Sequence, residues 1–330
     1  MEGVVRYAVE EAGRAAEGLR GLSQVAWVDR VREDLESYRA AMTWLLERNR
    51  PAEASSIAWS LFFFWVIRGH ASEGLRWYEQ ILRAPSLPPA VESRALLGAG
   101  AMLYTRAELG PARTALNRAL VLARGTAGME MEMALTRNLL GHVEYSGGDA
   151  DTARQRFAEA IEGFGALALP WGLGNSLTGM AAVVLTKGDP AHAERLLDEA
   201  TTVLRQTGPW FMALTLNVRA ILAVRRGHPI KAIAVVREGL SHIRELHDKF
   251  AFVYALVPLA AAAILQDDDE WAARILGTRD AVTDRTGATV VDKSLDDLKD
   301  QAERDVRRRL GPDRWAVSYT HLTLPTTERV

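Results

Sequence analysis

The chain has 330 residues, with 40 basic and 42 acidic side chains, a formal net charge of −2 and no cysteine. That balance leaves no electrostatic footprint for nucleic acid, and the lack of cysteine excludes a disulfide framework, a zinc-finger spacing and a thiol nucleophile. A hydrophobic fraction of 48% with 25% charged residues belongs to a folded protein, and no apolar run approaches the roughly eighteen residues a membrane span needs.

Residues 3–20 are rich in Ala, Glu and Arg and read as a helix broken near Gly18 and Gly21. Residues 22–48 form an amphipathic pattern, with Trp27, Val31, Leu35, Tyr38, Met42, Leu45 and Leu46 at three- and four-residue steps. Ser23 is placed to cap its start, and Pro51 marks its stop. Leu61–Ile67 is the most apolar run; it is too short to span a membrane and reads as a buried helix. Met1-Glu2-Gly3 opens no secretory signal. The expected location is cytoplasmic.

From here the chain repeats. Turn positions fall at Gly69, Ala107, Gly148, Gly188, Gly227 and Asp267, in steps of 38, 41, 40, 39 and 40. Five residues after each stands Gly74, Ala112, Ala153, Ala193, Ala232 or Ala272; seven before stands Phe62, Gly100, Gly141, Ala181, Ala220 or Ala260. A further seven residues on, Ala119, Ala160, Ala200 and Gly239 keep the pattern, and Ile81 and Arg279 break it at the two ends. A fixed period near 40 is the signature of a solenoid. Small side chains at fixed offsets mark where paired helices cross closely.

This lattice resembles the tetratricopeptide family, with a longer period than that family's basic unit. The resemblance implies an all-α, right-handed superhelix of about six helix–turn–helix repeats. The flanks are similar to the C-terminal helical region of LuxR-type and AfsR-like transcriptional regulators of the STAND ATPase class. Leu22–Asn49 looks like their linker helix, Trp65–Gly74 like their first repeat, and Trp271–Gly277 with Thr286-Gly287-Ala288 like their closing segment. The layout is then a helical leading or linker segment at 1–50, repeats at 51–280 and a helical cap at 281–316. Val317–Val330 is Thr-rich and aperiodic; it resembles translated sequencing-adapter read-through and is expected to be non-native. A reading of its end as the opening of a helix-turn-helix is disfavoured by Pro325-Thr326-Thr327.

No phosphate-cradling G-x-x-x-x-G-K-[ST] motif occurs, so the resemblance implies a fragment whose ATPase part lies upstream. His242 and His247 are five apart, about 140° round a helix, and do not converge on a metal. Asp267-Asp268-Asp269-Glu270 lacks the alternation of a calcium loop and reads as an acidic turn and helix cap. Gly163-x-Gly165 and Gly172-x-Gly174 lack dinucleotide-loop spacing. Residues 303–314 are basic and read as a solvated last helix. Trp171, Trp210 and Phe250 recur at 39 and 40 residues; they form either a ligand ladder or, the favoured reading, staples at the start of successive helices.

By the family's register, the first helix of each pair lines a concave groove. The inward set is Trp59, Phe63, Arg94, Leu97, Tyr104, Asn138, His142, Tyr145, Asn175, Thr178, Asn217 and Arg225. Its aromatics, amides and Arg suit an extended peptide or a small polar ligand. No nucleophile–base pair or metal constellation appears, so no enzyme activity and no cofactor are expected. The expected function is a non-catalytic sensor and protein-interaction module, fragment of a multidomain ATP-dependent regulator. The alternative is a stand-alone peptide-binding scaffold or chaperone-like adaptor. The expected partner is a protein or peptide, or a small-molecule effector, without direct nucleic-acid contact.

Overall fold

A computed structural model of the protein describes residues 2–286 and 292–320. The described residues are helical throughout, without strands. Three helices lead: α1 (Glu2–Gly18), α2 (Gln24–Glu33) and α3 (Leu35–Glu47). Residues 22–48 are thus two helices, not one. The break is at Asp34 (φ −90°, ψ 4°), whose carboxylate accepts from Tyr7 Oη at 3.1 Å. Ser23 stands at the start of α2 without a side-chain capping bond, and Pro51 opens the next helix.

Six helical hairpins follow. In the first, α4 (Pro51–Ser60) and α5 (Phe62–Arg68) together pair with α6 (Ala71–Leu82). The others are α7 (Pro89–Thr105) with α8 (Leu109–Arg124), α9 (Glu130–Ser146) with α10 (Ala150–Ala166), and α11 (Pro170–Thr186) with α12 (Pro190–Leu204). Then come α13 (Pro209–Arg225) with α14 (Pro229–Ile243) and α15 (Lys249–Ile264) with α16 (Asp269–Thr286). Proline opens α4, α7, α11, α12, α13 and α14, where its missing N–H costs nothing. Asp149, Asp189, Asp248 and Asp268 accept backbone N–H bonds at the starts of α10, α12, α15 and α16.

All six turn positions have a positive φ: Gly69 69°, Ala107 65°, Gly148 89°, Gly188 88°, Gly227 72° and Asp267 58°. A left-handed residue ends the first helix of each hairpin and reverses the chain. Two of the six carry a side chain in a conformation that disfavours one. Ala107→Gly is therefore expected to stabilise by about 0.5 kcal/mol net of unfolded-state entropy, and Gly148→Ala to destabilise by about 1 kcal/mol. Nothing lies within 4 Å of a Cβ at Gly148, so its cost is backbone strain alone. Calorimetry should show midpoints moving in opposite directions, by about 1–4 °C.

The small-residue lattice sits where the paired helices cross. Ala112, Ala153, Ala193, Ala232 and Ala272 are fully buried, as are Ala181, Ala220 and Ala260. A Cβ on Gly100 would stand 2.6 Å from Leu116, and one on Gly141 2.8 Å from Phe157. Phe62 is the one large residue of its set, and there the first helix breaks between α4 and α5. The break turns Phe62 and Phe63 inward, edge to face at 5.0 Å.

The superhelix closes on itself. Gln24 Oε1 accepts from the Trp210 amide at 2.9 Å, while Gln24 Nε2 donates to Leu19 O at 2.6 Å. Gly208 N donates to Arg20 O at 3.3 Å, and Arg68 Nη1 to Leu246 O at 2.8 Å. The first helices and first repeat therefore meet the start of the fifth and sixth repeats.

α17 (Lys293–Thr320) kinks at Gly311 and packs against α15 and α16. Its basic run meets the acidic turn: Arg309 pairs with Asp269 at 3.3 Å and Arg314 with Glu270 at 2.6 Å. Residues 317–320, expected as part of a non-native tail, form the last turn of α17. There Tyr319 stacks on Trp315 at 4.7 Å and donates to Asp280. Residues 321–330 and 287–291 lie outside the described residues, so the expectations on Gly287, Ala288 and the rest of the tail do so too. Among the described residues no helix is long and apolar enough to cross a membrane.

Candidate functional site

Closure turns the concave groove into a cavity of about 140 Å³. Its wall takes residues from α5, α7, α9, α11, α13 and α15, and Asp292 just ahead of α17. Hairpins of one period bring the same helical face to the axis at every repeat. Positions about 40 apart in sequence therefore become neighbours.

One part of the wall is aromatic. The Phe63 ring meets Trp171 at 5.2 Å, Phe211 at 5.6 Å and Trp210 at 6.4 Å, each near edge-to-face. That geometry sets a positive ring edge against a negative ring face. Arg20 lies 5.5 Å from the Trp171 ring centre.

Another part is polar. Tyr254 Oη donates to Asp292 Oδ2 at 2.7 Å, and Tyr145 Oη lies 2.8 Å from Thr186 Oγ1. Burial raises the pKa of Tyr104, Tyr145 and Tyr254, with the Asp292 charge adding to each. All three are neutral phenols at physiological pH. His142 packs edge-on to Phe157 at 4.9 Å, and its Nε2 is 3.4 Å from Asn175 Oδ1. Burial holds its pKa below the ordinary histidine value, so the ring is neutral.

Seven of the expected groove residues line this cavity: Phe63, Tyr104, Asn138, His142, Tyr145, Asn175 and Thr178. Asn138 donates to Ser176 Oγ at 2.9 Å, and Thr178 shares a 2.7 Å bond with Thr215, so both brace helices as well. The others stand off the wall because they have other partners. Trp59 lines a recess of about 20 Å³ with Arg20 and Met131. Arg94 pairs with buried Glu132 at 2.7 Å, and Leu97 is core. Asn217 donates to Ala251 O at 3.3 Å, and Arg225 to Leu185 O at 3.0 Å.

Trp171, Trp210 and Phe250 line the cavity as well, and the staple role holds beside it: Trp210 Nε1 donates to Asp248 Oδ2 at 2.7 Å, joining consecutive repeats. Phe211, Tyr254 and Asp292 are wall residues that register alone did not select. Among the described residues no cluster of three or more metal-ligating side chains occurs.

Asp248, behind this wall, caps α15 through Phe250 N and Ala251 N. Burial pushes its carboxyl up to about 6, against the hydrogen bonds that favour the charge. A raised native value means the penalty is present at pH 7 and fades as pH falls through 6 toward the ordinary carboxylate range. The stability of the protein relative to Asp248→Asn should rise by about 2 kcal/mol between pH 7 and pH 4. Urea midpoints of the two proteins across that range check it; a constant gap would contradict the burial argument.

No protein-family profile matches the chain. Over 190 residues it is 32% identical to a protein of Mycobacterium tuberculosis H37Rv named as the putative HTH-type transcriptional regulator Rv0890c, and equally to Mb0914c of Mycobacterium bovis. The match covers 53% of this chain and 21% of each relative, so the chain spans about a fifth of their length. Among solved structures it is similar to a Rap protein complexed with Competence and Sporulation Factor (TM-score 0.55, 10% identity, 92% of this chain and 99% of that one). It is also similar to the apo quorum sensor NprR of B. thuringiensis (0.52, 14%, 94% and 86%). A tetratricopeptide repeat protein from Parabacteroides merdae gives 0.51 at 14% identity, over 91% and 99% of the two chains. At these identities the likeness is one of fold: the chain is a tetratricopeptide-like α-solenoid.

Proposed function

We propose that the chain is the sensor and protein-interaction module of a larger, cytoplasmic, ATP-dependent transcriptional regulator, and that it is not itself an enzyme. One observation carries this reading: side chains from six successive repeats converge on one cavity at the point where the superhelix closes. A ligand there touches both Phe63 of the first repeat and Trp171, Trp210 and Phe211 of the fourth and fifth. Its occupancy therefore bears on the strength of closure, which is the differential affinity a switch requires. The small volume suits a small effector, or one side chain of a bound peptide. Partial similarity to much longer regulators supports a setting in which closure is read by a neighbouring domain.

The natural reading frame around the chain is expected to encode a P-loop ATPase upstream. Nucleotide hydrolysis by the complete protein should then change at least about fivefold in Phe63→Ala, the lower end of ordinary coupling energies. An in-frame stop just ahead of Met1, or an unaltered rate, overturns the regulator reading. The stop would favour a free-standing scaffold.

A further inference from the structure

We propose that the cavity is selective for a small cationic amine with an aromatic or aliphatic body, its ammonium held by Asp292 among Tyr104, Tyr145 and Tyr254. The inference rests on the cavity being a ligand site and adds the chemistry of the ligand.

Charge on the wall decides the sign. Among the described lining residues Asp292 is the one carboxylate, and none is Arg or Lys. Arg225 donates to Leu185 O, and Arg20, beside the Trp171 ring, donates to Ala16 O. His142 is neutral and adds no competing cation. A carboxylate or phosphate entering here would lose its hydration, gain no cationic partner and face Asp292. An ammonium loses its hydration too, but regains a carboxylate and the negative faces of phenol rings.

Position supports the same choice. Asp292 Oδ1 is engaged by Ser294 N at 2.9 Å, Ser294 Oγ at 2.8 Å and Leu295 N at 3.0 Å, which fix the side chain. Its Oδ2 accepts from Tyr254, and the residue lines the cavity. Tyr254 donates to Asp292, and Tyr104 and Tyr145, from two other repeats, line the same cavity, so three phenols share it with one carboxylate. The aromatic group around Phe63 supplies the apolar surface for the ligand body. The volume is close to that of a cavity known to hold one benzene.

Three probes of one shape separate the outcomes: phenethylamine, 2-phenylethanol and phenylacetate, titrated at pH 7 against the full chain. Trp171 and Trp210 fluorescence and calorimetry report binding. The expected result is amine binding at least about tenfold tighter than alcohol, with the acid weakest. In Asp292→Asn the amine preference should vanish while alcohol affinity is kept, because Asn retains the helix cap. The wild-type ranking tests charge selectivity by itself, so a misfolded variant leaves the test intact. Alcohol and amine binding equally, or the acid binding best, overturns the amine inference and leaves the site standing. No saturable binding of any probe overturns both. An amine preference that survives in Asp292→Asn overturns the assignment of Asp292.

Discussion

Phe157→Ala is expected to lower the stability of the chain by about 3–5 kcal/mol, the usual cost of emptying a filled aromatic site. Phe157 is fully buried, and its ring fills the place where Gly141 and Gly179 would carry side chains. A Cβ on those residues would stand 2.8 Å and 2.4 Å from the ring. The ring therefore touches α9 and α11 at once and ties the third repeat to the fourth. It also supports His142 on the cavity wall. In a solenoid each repeat is stabilised mainly by its neighbours, so a central loss reduces cooperativity as well as total stability. Urea unfolding followed by tryptophan fluorescence and by far-ultraviolet dichroism should coincide in the wild type and separate in the variant. Gly141→Ala is the converse change: it crowds the same ring and should cost about 1–3 kcal/mol. A loss below 1 kcal/mol in Phe157→Ala would rule out this packing account.

Gln24→Ala is expected to open the ring. The side chain is fully buried and serves the Trp210 amide with one end and the Leu19 carbonyl with the other. Truncation strips both backbone groups of that partner, at about 1–3 kcal/mol each, or about 2–6 kcal/mol together. Closure contacts that remain include the weaker Gly208–Arg20 bond, the Arg68–Leu246 bond, Arg20 beside Trp171 and the Phe63 ring against Trp171, Trp210 and Phe211, so the ring loosens at Gln24 first. The variant should show a larger radius of gyration in X-ray scattering. Its Trp210 amide should exchange faster, while amides in α8 to α12 keep their protection. Both quantities unchanged from wild type would mean that Gln24 does not hold the ring.

The repeat was legible in the sequence for a simple reason. A left-handed turn and a close helix crossing are local demands, and each admits few residue types. All six turn positions and the small residues around them could therefore be read by spacing alone, Ala107 and Asp267 included. The expected single helix over 22–48 failed at Asp34, because the pattern of apolar residues continues across the break while the backbone does not. The in-register aromatics Trp171, Trp210 and Phe250 were visible too, with the staple favoured over the ligand wall, because periodicity shows the register of a ring and not what lies on its far side. Trp210 does both.

Register also selected the groove face: Phe63, Tyr104, Asn138, His142, Tyr145, Asn175 and Thr178 all reach the cavity. It could not show that Arg94 is held by Glu132, because a charge partner in the next repeat leaves no mark on the pattern of either helix. The sequence by itself determined the hairpin, its period and the face turned to the axis, since these follow from backbone conformation and side-chain size within a few residues. Only the tertiary structure decided that the superhelix closes, that Gln24 meets Trp210 across 186 residues, and that Asp292 stands among three tyrosines. Small angles between successive repeats accumulate over the whole array, and no local spacing encodes their sum.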